Sequence, residues 1–254
     1  MANVLSCNLV SYRGHVEAAY KHLPEIGVKN IEIPIPAMSE VVQVMNRLAL
    51  VELAPTTLMA SAEIGSDEYA GQFAQHCDVA AKMGVEVIFT SVNAGEVPKD
   101  DAYRRLHEAG VEAAKRGVTI AMETHPDLMT NGDVAVETLT AVDHPNVRMN
   151  FDTANIHYYN EDTTTEAELQ KVAHLVAGVH LKDTSGEYKT WNFPTLGTGV
   201  VDYPEVFRIL NGEGFDGPFT MELEGVEGQK FNAEEACDDV AKSVAYLRTF
   251  ATFT

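Results

Sequence analysis

Short apolar runs alternate with longer amphipathic stretches along the whole chain. Runs rich in Val, Ile and Thr, too short for typical helices, predict strands at Val4–Val10, Lys29–Pro34, Leu50–Ala54, Val85–Ser91, Val118–Thr124, Val147–Asp152, Gly178–Lys182 and Phe219–Glu222. Amphipathic segments between them predict helices. Ser66–Met83 has a capping Ser, acidic residues in its first turn and Gly84 as its stop; Asp100–Arg116 stops at Gly117, and Glu166–Ala177 at Gly178. EIGVKNIEI, KMGVEVIFT, KRGVTIAME and GEGFDGPFTME repeat one arrangement, in which a helix closes on Gly and an apolar strand starts at once. Eight strands alternating with about eight helices predict a parallel sheet that can close as a single (β/α)₈ barrel, with residues 1–254 as one domain. The competing doubly wound sheet usually carries a Gly-rich phosphate turn, and neither GxGxxG nor GxxxxGK[ST] occurs.

Charge narrows the partners. Asp plus Glu number 38 against 18 for Lys plus Arg, a formal net charge of -20. Such a surface repels nucleic-acid phosphates and anionic lipid, and it also serves solubility. The three cysteines, Cys7, Cys77 and Cys237, are scattered without metal spacing, which fits reduced thiols in a cytoplasmic protein. MANVLSCNLVSYRG has no basic region followed by a long apolar stretch, so no secretory leader is expected, and no run approaches the about 18 apolar residues of a membrane span.

Four chemistry-bearing side chains lie late in four strand-like runs: Glu123 in VTIAMETHPD, Asp152 in VRMNFDTAN, His180 in VAGVHLKD and Glu222 in GPFTMELEG. Parallel strands of one barrel bring such positions together at its C-terminal mouth. Three carboxylates and an imidazole suit a divalent ion such as Mn²⁺ or Mg²⁺. Blander readings stand beside this one: Glu123 as an exposed strand end, Asp152 as a turn cap, His180 as a satisfied core residue. Glu222 and Glu224 share a strand face, and periodicity does not choose between them. His125 can brace a ligand, reach substrate or be a solvated loop residue. Lys182 can contact substrate or pair with Asp183. His157 lies on the loop after Asp152, and Trp191, the single tryptophan, can cover a sugar ring or pack its own loop.

These motifs resemble the xylose-isomerase-like TIM barrels, among them the sugar (phosphate) isomerases and epimerases that include D-tagatose 3-epimerase, inosose dehydratase and hydroxypyruvate isomerase. GVKNIEI, METHPD, NFDTAN, HLKD, GTGVVDYPEVFRIL and GFDGPFTMELEG are similar to family signatures, in the family's order. The resemblance implies one divalent metal, Mn²⁺ first and Mg²⁺, Co²⁺ or Zn²⁺ as alternatives, held by Glu123, Asp152, His180 and Glu222. Glu222 is preferred to Glu224 because the family's ligand is the first acid of that strand. Substrate contacts are expected from His125, Asn155, His157, Lys182, Trp191 and Glu224. The tagatose-epimerase-like branch has His where this chain has Asn155 and Arg where it has Gly186, so the substrate is not carried over.

The implied chemistry is proton transfer. A metal at a substrate carbonyl acidifies the neighbouring C–H and stabilises the enediolate, while Glu123 and Glu222 remove and return the proton. Return to the opposite face epimerises, return to the next carbon isomerises, and loss of a β-hydroxyl eliminates. A lyase on a keto-sugar, keto-glycoside or inosose is therefore the alternative enzyme, and a non-catalytic sugar-binding barrel or partner-dependent subunit the alternative class. The expected partner is a small, non-phosphorylated sugar or polyol; a homo-oligomer is compatible with the sequence.

Overall fold

The computed structural model describes residues 3–254. Met1 and Ala2, where the expected single domain begins and the start was read for a leader, lie outside them. The barrel strands are β1 (Val4–Asn8), β2 (Asn30–Pro34), β3 (Ala54–Met59), β4 (Val87–Thr90), β5 (Thr119–Glu123), β6 (Val147–Asp152) and β7 (Val176–Leu181). A short β8 (Asn192–Phe193) follows, then the eighth barrel strand, β9 (Pro218–Met221), and a short β10 (Gly225–Val226). Strands β1 to β7 and β9 pair in sequence order, all parallel, and β9 closes the ring on β1 with Val4 opposite Pro218. The protein is a TIM barrel, as the alternation of runs predicts.

The surrounding helices are α1 (Val16–Glu25), α2 (Val41–Leu50), α3 (Tyr69–Met83), α4 (Lys99–Ala114), α5 (Gly132–Val142), α6 (Asn155–Tyr159), α7 (Thr165–Val172), α8 (Tyr203–Gly212) and α9 (Ala233–Leu247). Among the described residues no helix is long and apolar enough to cross a membrane. Period-two alternation sorts the strand residues. Ile120, Met122, Phe151, Val179, Leu181 and Phe219 are buried in the main apolar cluster, where Phe219 stacks on Phe207 of α8 at 4.1 Å. The alternate set, which includes Asn8, Glu32, Glu123, Asp152, His180 and Glu222, is buried yet polar. A polar interior is costly unless every group finds a partner, so the barrel axis is where a function is to be sought.

Three expectations need correction. Leu50–Ala54 is not the third strand: α2 runs through Leu50, Glu52 turns the chain at φ +56°, and β3 begins only at Ala54. The apolar run LALVELA hid the helix end, while Pro55 and the paired threonines disguised a strand start that tolerates Pro. Helix α7 ends at Val172, and a 3-10 turn over Ala173–Leu175 leads straight into β7. Gly178 is therefore no helix stop. It lies within β7, where an added Cβ would stand 2.6 Å from Asn150 Oδ1. Helix α3 begins at Tyr69, and Ser66 instead accepts the Glu68 N–H in the turn before it.

Candidate functional site

Glu123 and Asp152 are the last residues of β5 and β6, His180 lies one residue before the end of β7, and Glu222 directly follows β9. Strand register puts Asp152 beside His180. One ligand-type atom from each of the four residues falls within 4.8 Å of the others, and all four residues are buried.

Each of these side chains has one polar atom already committed. Glu123 Oε2 accepts from Ser91 Oγ at 2.6 Å and lies 2.7 Å from His125 Nδ1. Asp152 Oδ1 accepts the backbone N–H of Ala154 and of Asn155, both at 2.9 Å. Glu222 Oε1 accepts from Asn8 Nδ2 at 3.1 Å. His180 Nε2 is 3.1 and 3.3 Å from the two oxygens of Glu32. The remaining atoms turn inward: Glu123 Oε1 is 3.1 Å and Glu222 Oε2 is 3.2 Å from His180 Nδ1. Asp152 Oδ2 is buried and makes no hydrogen bond; the Lys182 ammonium lies 2.8 Å away, close enough for an ion pair but out of line for a bond. Three inward oxygens and one ring nitrogen, with an orphaned oxygen among them, fit a divalent cation.

The electrostatics point the same way. Five carboxylates, Glu32, Glu123, Asp152, Glu222 and Glu224, crowd a space mostly closed to water. Burial works to raise Glu222, but His180 and Lys182 overrule it and bring its carboxyl down to about 2. Burial likewise opposes the Lys182 charge, yet Asp152, Glu222 and Glu224 hold its ammonium well above the ordinary lysine range. Lys182 Nζ stands 2.8 Å from Glu222 Oε2 and 2.7 Å from Glu224 Oε2. A further cation in the centre would relieve the remaining repulsion among these carboxylates.

The cavity above is small, about 240 Å³, and is bounded by Glu123, His125, Lys182, Trp191, Glu222 and Glu224. Asn155 also lines it, but its Nδ2 donates to Thr124 O, so its amide is half engaged in holding the loop. Phe89 meets the His180 ring edge to face at 4.5 Å and supplies an apolar wall. Trp191 packs on Phe193 at 5.0 Å and stays 42% exposed, so it both covers the cavity and anchors its loop. Pairing of Phe193 with Gly225 ties that loop to the chain beyond Glu222. A larger hollow of about 610 Å³ lies at the opposite end, among strand starts such as Val4, Thr119 and Pro218, away from the acid–imidazole cluster.

Two sequence expectations are not met at the mouth. His157 is buried between α6 and α7, with Nε2 3.2 Å from Thr165 Oγ1, and does not line the cavity. The short helix α6 turns it there, a detail that its place two residues after Asn155 could not convey. Asp183 is not the partner of Lys182. Its carboxylate accepts four backbone N–H groups, from Thr184 (2.9 Å), Gly197 (2.8 Å), Gly199 (2.9 Å) and Val201 (3.3 Å), and so folds the loop that carries Trp191. Asn8, Glu32 and Ser91 were missed altogether. Glu32 carried a signal, a lone carboxylate among apolar neighbours in NIEIP.

The matched family model decides the kinship: "Xylose isomerase-like TIM barrel" covers residues 34–249. The chain belongs to the xylose isomerase-like TIM barrels. Within that family it is 32% identical, over 187 residues, to an L-ribulose-5-phosphate 3-epimerase of Shigella flexneri serotype 5b. The match takes in 68% of this chain and 61% of the relative, so the chain answers to about three-fifths of that protein's length. A xylose isomerase domain protein from Alicyclobacillus acidocaldarius superposes with a TM-score of 0.79 at 16% identity, over 98% of this chain and 99% of the other. A D-allulose 3-epimerase from Methylomonas sp., solved with D-allulose, gives 0.76 at 17% identity, over 98% and 97%. At such identities the two structures speak for the family's shared barrel alone.

Proposed function

We propose that the chain, acting as one domain over residues 1–254, is a divalent-metal-dependent epimerase or isomerase of a small non-phosphorylated keto-sugar. The observation that carries this reading is the pair Glu123 and Glu222, whose inward oxygens flank His180 Nδ1 at 3.1 and 3.2 Å. Glu123, Asp152, His180 and Glu222 are the residues that hold the metal, with Mn²⁺ the first candidate for so oxygen-rich a set. A bound divalent ion there supplies Lewis-acid stabilisation of negative charge on substrate oxygens.

The chain's own residues do the rest. Glu123 and Glu222 approach from two different strands, so one can remove a proton from the carbon beside a carbonyl while the other returns one. Lys182 holds a charged ammonium at the cavity floor, where it can donate to a substrate oxygen. Trp191 and Phe89 give the sugar's C–H face an apolar surface and keep bulk water away. The curated relatives of similar sequence are named for a 5-phosphate substrate. The acidic lining supports an uncharged sugar here: Lys182 is bracketed by three carboxylates, His125 is paired with Glu123, and Glu222 and Glu224 face the same space. The three cysteines are unpaired, which supports a cytoplasmic setting.

The test is to incubate the Mn²⁺-loaded protein with a panel of keto-sugars and their 5-phosphates in D₂O. Deuterium should enter the carbon next to the carbonyl, with the free sugars turned over faster. Interconversion without solvent label, and with full intramolecular transfer from labelled sugar, would sink the mechanism. Elimination is the second reading. It is favoured by Asn155, tied to Thr124, and by Gly186, which occupies a turn at φ +85°; both stand where the tagatose-epimerase-like pattern has substrate contacts. A dehydrated product carrying solvent label identifies that case.

A further inference from the structure

Glu32 and Asn8 come from the opposite side of the barrel to the four donors. Glu32 is 1% exposed, on β2, at a register irregularity between Ile31 and Glu32 in the β2–β3 pairing. Period-two alternation points Glu32 inward between Ile31 and Ile33, and its carboxylate lies against His180 Nε2. Asn8 lies at the end of β1, opposite Glu32 in the β1–β2 register. Its Oδ1 accepts the Val10 N–H at 2.9 Å, which fixes which end of the amide is the NH₂ group. That NH₂ then donates to two carboxylates at once, Glu32 Oε1 at 2.8 Å and Glu222 Oε1 at 3.1 Å.

We infer that Glu32 and Asn8 are positioning residues of the metal centre, Glu32 fixing the ring and tautomer of His180 and Asn8 fixing the carboxylate of Glu222. This rests on the proposed reading that the four donors hold a metal. With a cation on the Nδ1 side, where Glu123 and Glu222 face the ring, Nδ1 would offer its lone pair, and Nε2 would keep its hydrogen and donate it to Glu32. The same hydrogen bond makes that lone pair a better donor. Asn8 occupies one oxygen of Glu222, which leaves Oε2 turned to the centre. One amide thus holds Glu222 directly and His180 through Glu32. A merely structural Glu32 keeps the interior packed and neutral but leaves the choice of ring nitrogen without consequence.

The experiment uses the full chain, stripped with chelator, with Mn²⁺ alone as the probe. Binding is read from the paramagnetic resonance of free Mn²⁺, and geometry from the visible spectrum of the Co²⁺-loaded protein. Glu32→Ala and Asn8→Ala should each weaken Mn²⁺ binding by about 10–100-fold. Glu32→Gln, whose amide oxygen still accepts from Nε2–H, should recover most of that loss and a wild-type Co²⁺ spectrum. A folded Glu32→Ala that binds Mn²⁺ within about twofold of wild type, with an unchanged Co²⁺ spectrum, overturns the inference and leaves the metal centre standing. Wild type that takes up no metal overturns both. Should Glu32→Ala not fold, nitrogen NMR of the Zn²⁺-loaded wild type decides. A proton on His180 Nε2 with metal on Nδ1 supports the inference, and the reverse tautomer overturns it.

Discussion

The two halves of the barrel mouth are built from different chemistry. Strands β5, β6, β7 and β9 end in or beside Glu123, Asp152, His180 and Glu222, each with one atom facing the centre. On the other side, Asn8 ends β1, Glu32 is the middle residue of β2 and Ser91 follows β4, and their polar groups reach those same residues. The remaining strand, β3, ends in Met59, an apolar wall of the cavity. One half offers the donors, and the other removes the alternatives of Glu123, His180 and Glu222, while Asp152 is held by its own loop. A carboxylate with one oxygen engaged has one orientation in which to offer the second, which is what preorganisation of a site requires.

The comparison breaks first if the donor half proves dispensable. His180→Ala and Asp152→Asn should both abolish stoichiometric metal and lower turnover by about 10³-fold or more, while circular dichroism remains that of the folded barrel. Asp152→Asn is the gentler change, because its side-chain oxygen still accepts the Ala154 and Asn155 N–H groups. Full occupancy of His180→Ala by elemental analysis removes it from the centre. Within the last strand the two acids should separate. Glu222→Gln should lose the metal, whereas Glu224→Gln should keep it and show a raised KM, since Glu224 touches Lys182 alone of the charged groups named here. The reverse order would reassign the ligand.

Asp152 and Asp183 sharpen the contrast between binding and building. Both are fully buried acids at the ends of neighbouring strands. Asp152 keeps Oδ2 free of hydrogen bonds, while both oxygens of Asp183 are taken up by backbone amides of one loop. Asp183→Ala should therefore act on stability, costing about 2–4 kcal/mol as several N–H groups lose their acceptor. Urea unfolding measures this directly. An Asp183→Ala protein as stable as wild type but empty of metal would place Asp183 with the donors instead.

Sequence and structure part company in the same two halves. An acid or imidazole closing an apolar run, as in IAME, MNFD or AGVHL, is visible because burying it is expensive without a partner. Glu32 in NIEIP is a lone carboxylate among apolar neighbours, but it lies in the N-terminal half, and only closure of the barrel brings it to His180. Asn8 and Ser91 carry no such signal, since amides and hydroxyls are ordinary residues after a strand. The barrel itself was legible from seven well-placed runs. Its third strand was misplaced because apolarity continued from α2 into the turn, and only the positive φ at Glu52 separates them. His157 was misjudged because a five-residue helix rotates it away from the mouth.

The smallest expected effect belongs to Ser91, and it tests the supporting half where that half is thinnest. Ser91 Oγ donates to Glu123 Oε2 at 2.6 Å, and His125 Nδ1 lies 2.7 Å from the same oxygen. Two neighbours on one oxygen mean that losing the hydroxyl leaves Glu123 oriented, though less firmly. A hydrogen bond to a charged group contributes about 1.5–3 kcal/mol when nothing replaces it. With His125 still present, Ser91→Ala should cost less, about 1 kcal/mol, which is roughly a fivefold fall in kcat/KM. Metal content should stay near wild type, because Glu123 Oε1 still faces His180. Ser91→Thr keeps the hydroxyl and should restore most of the rate; His125→Ala combined with Ser91→Ala should lose more than the two single changes together, since each covers for the other. A Ser91→Ala protein as inactive and metal-free as His180→Ala would mean that support and donation are not separable between the two sides of the barrel.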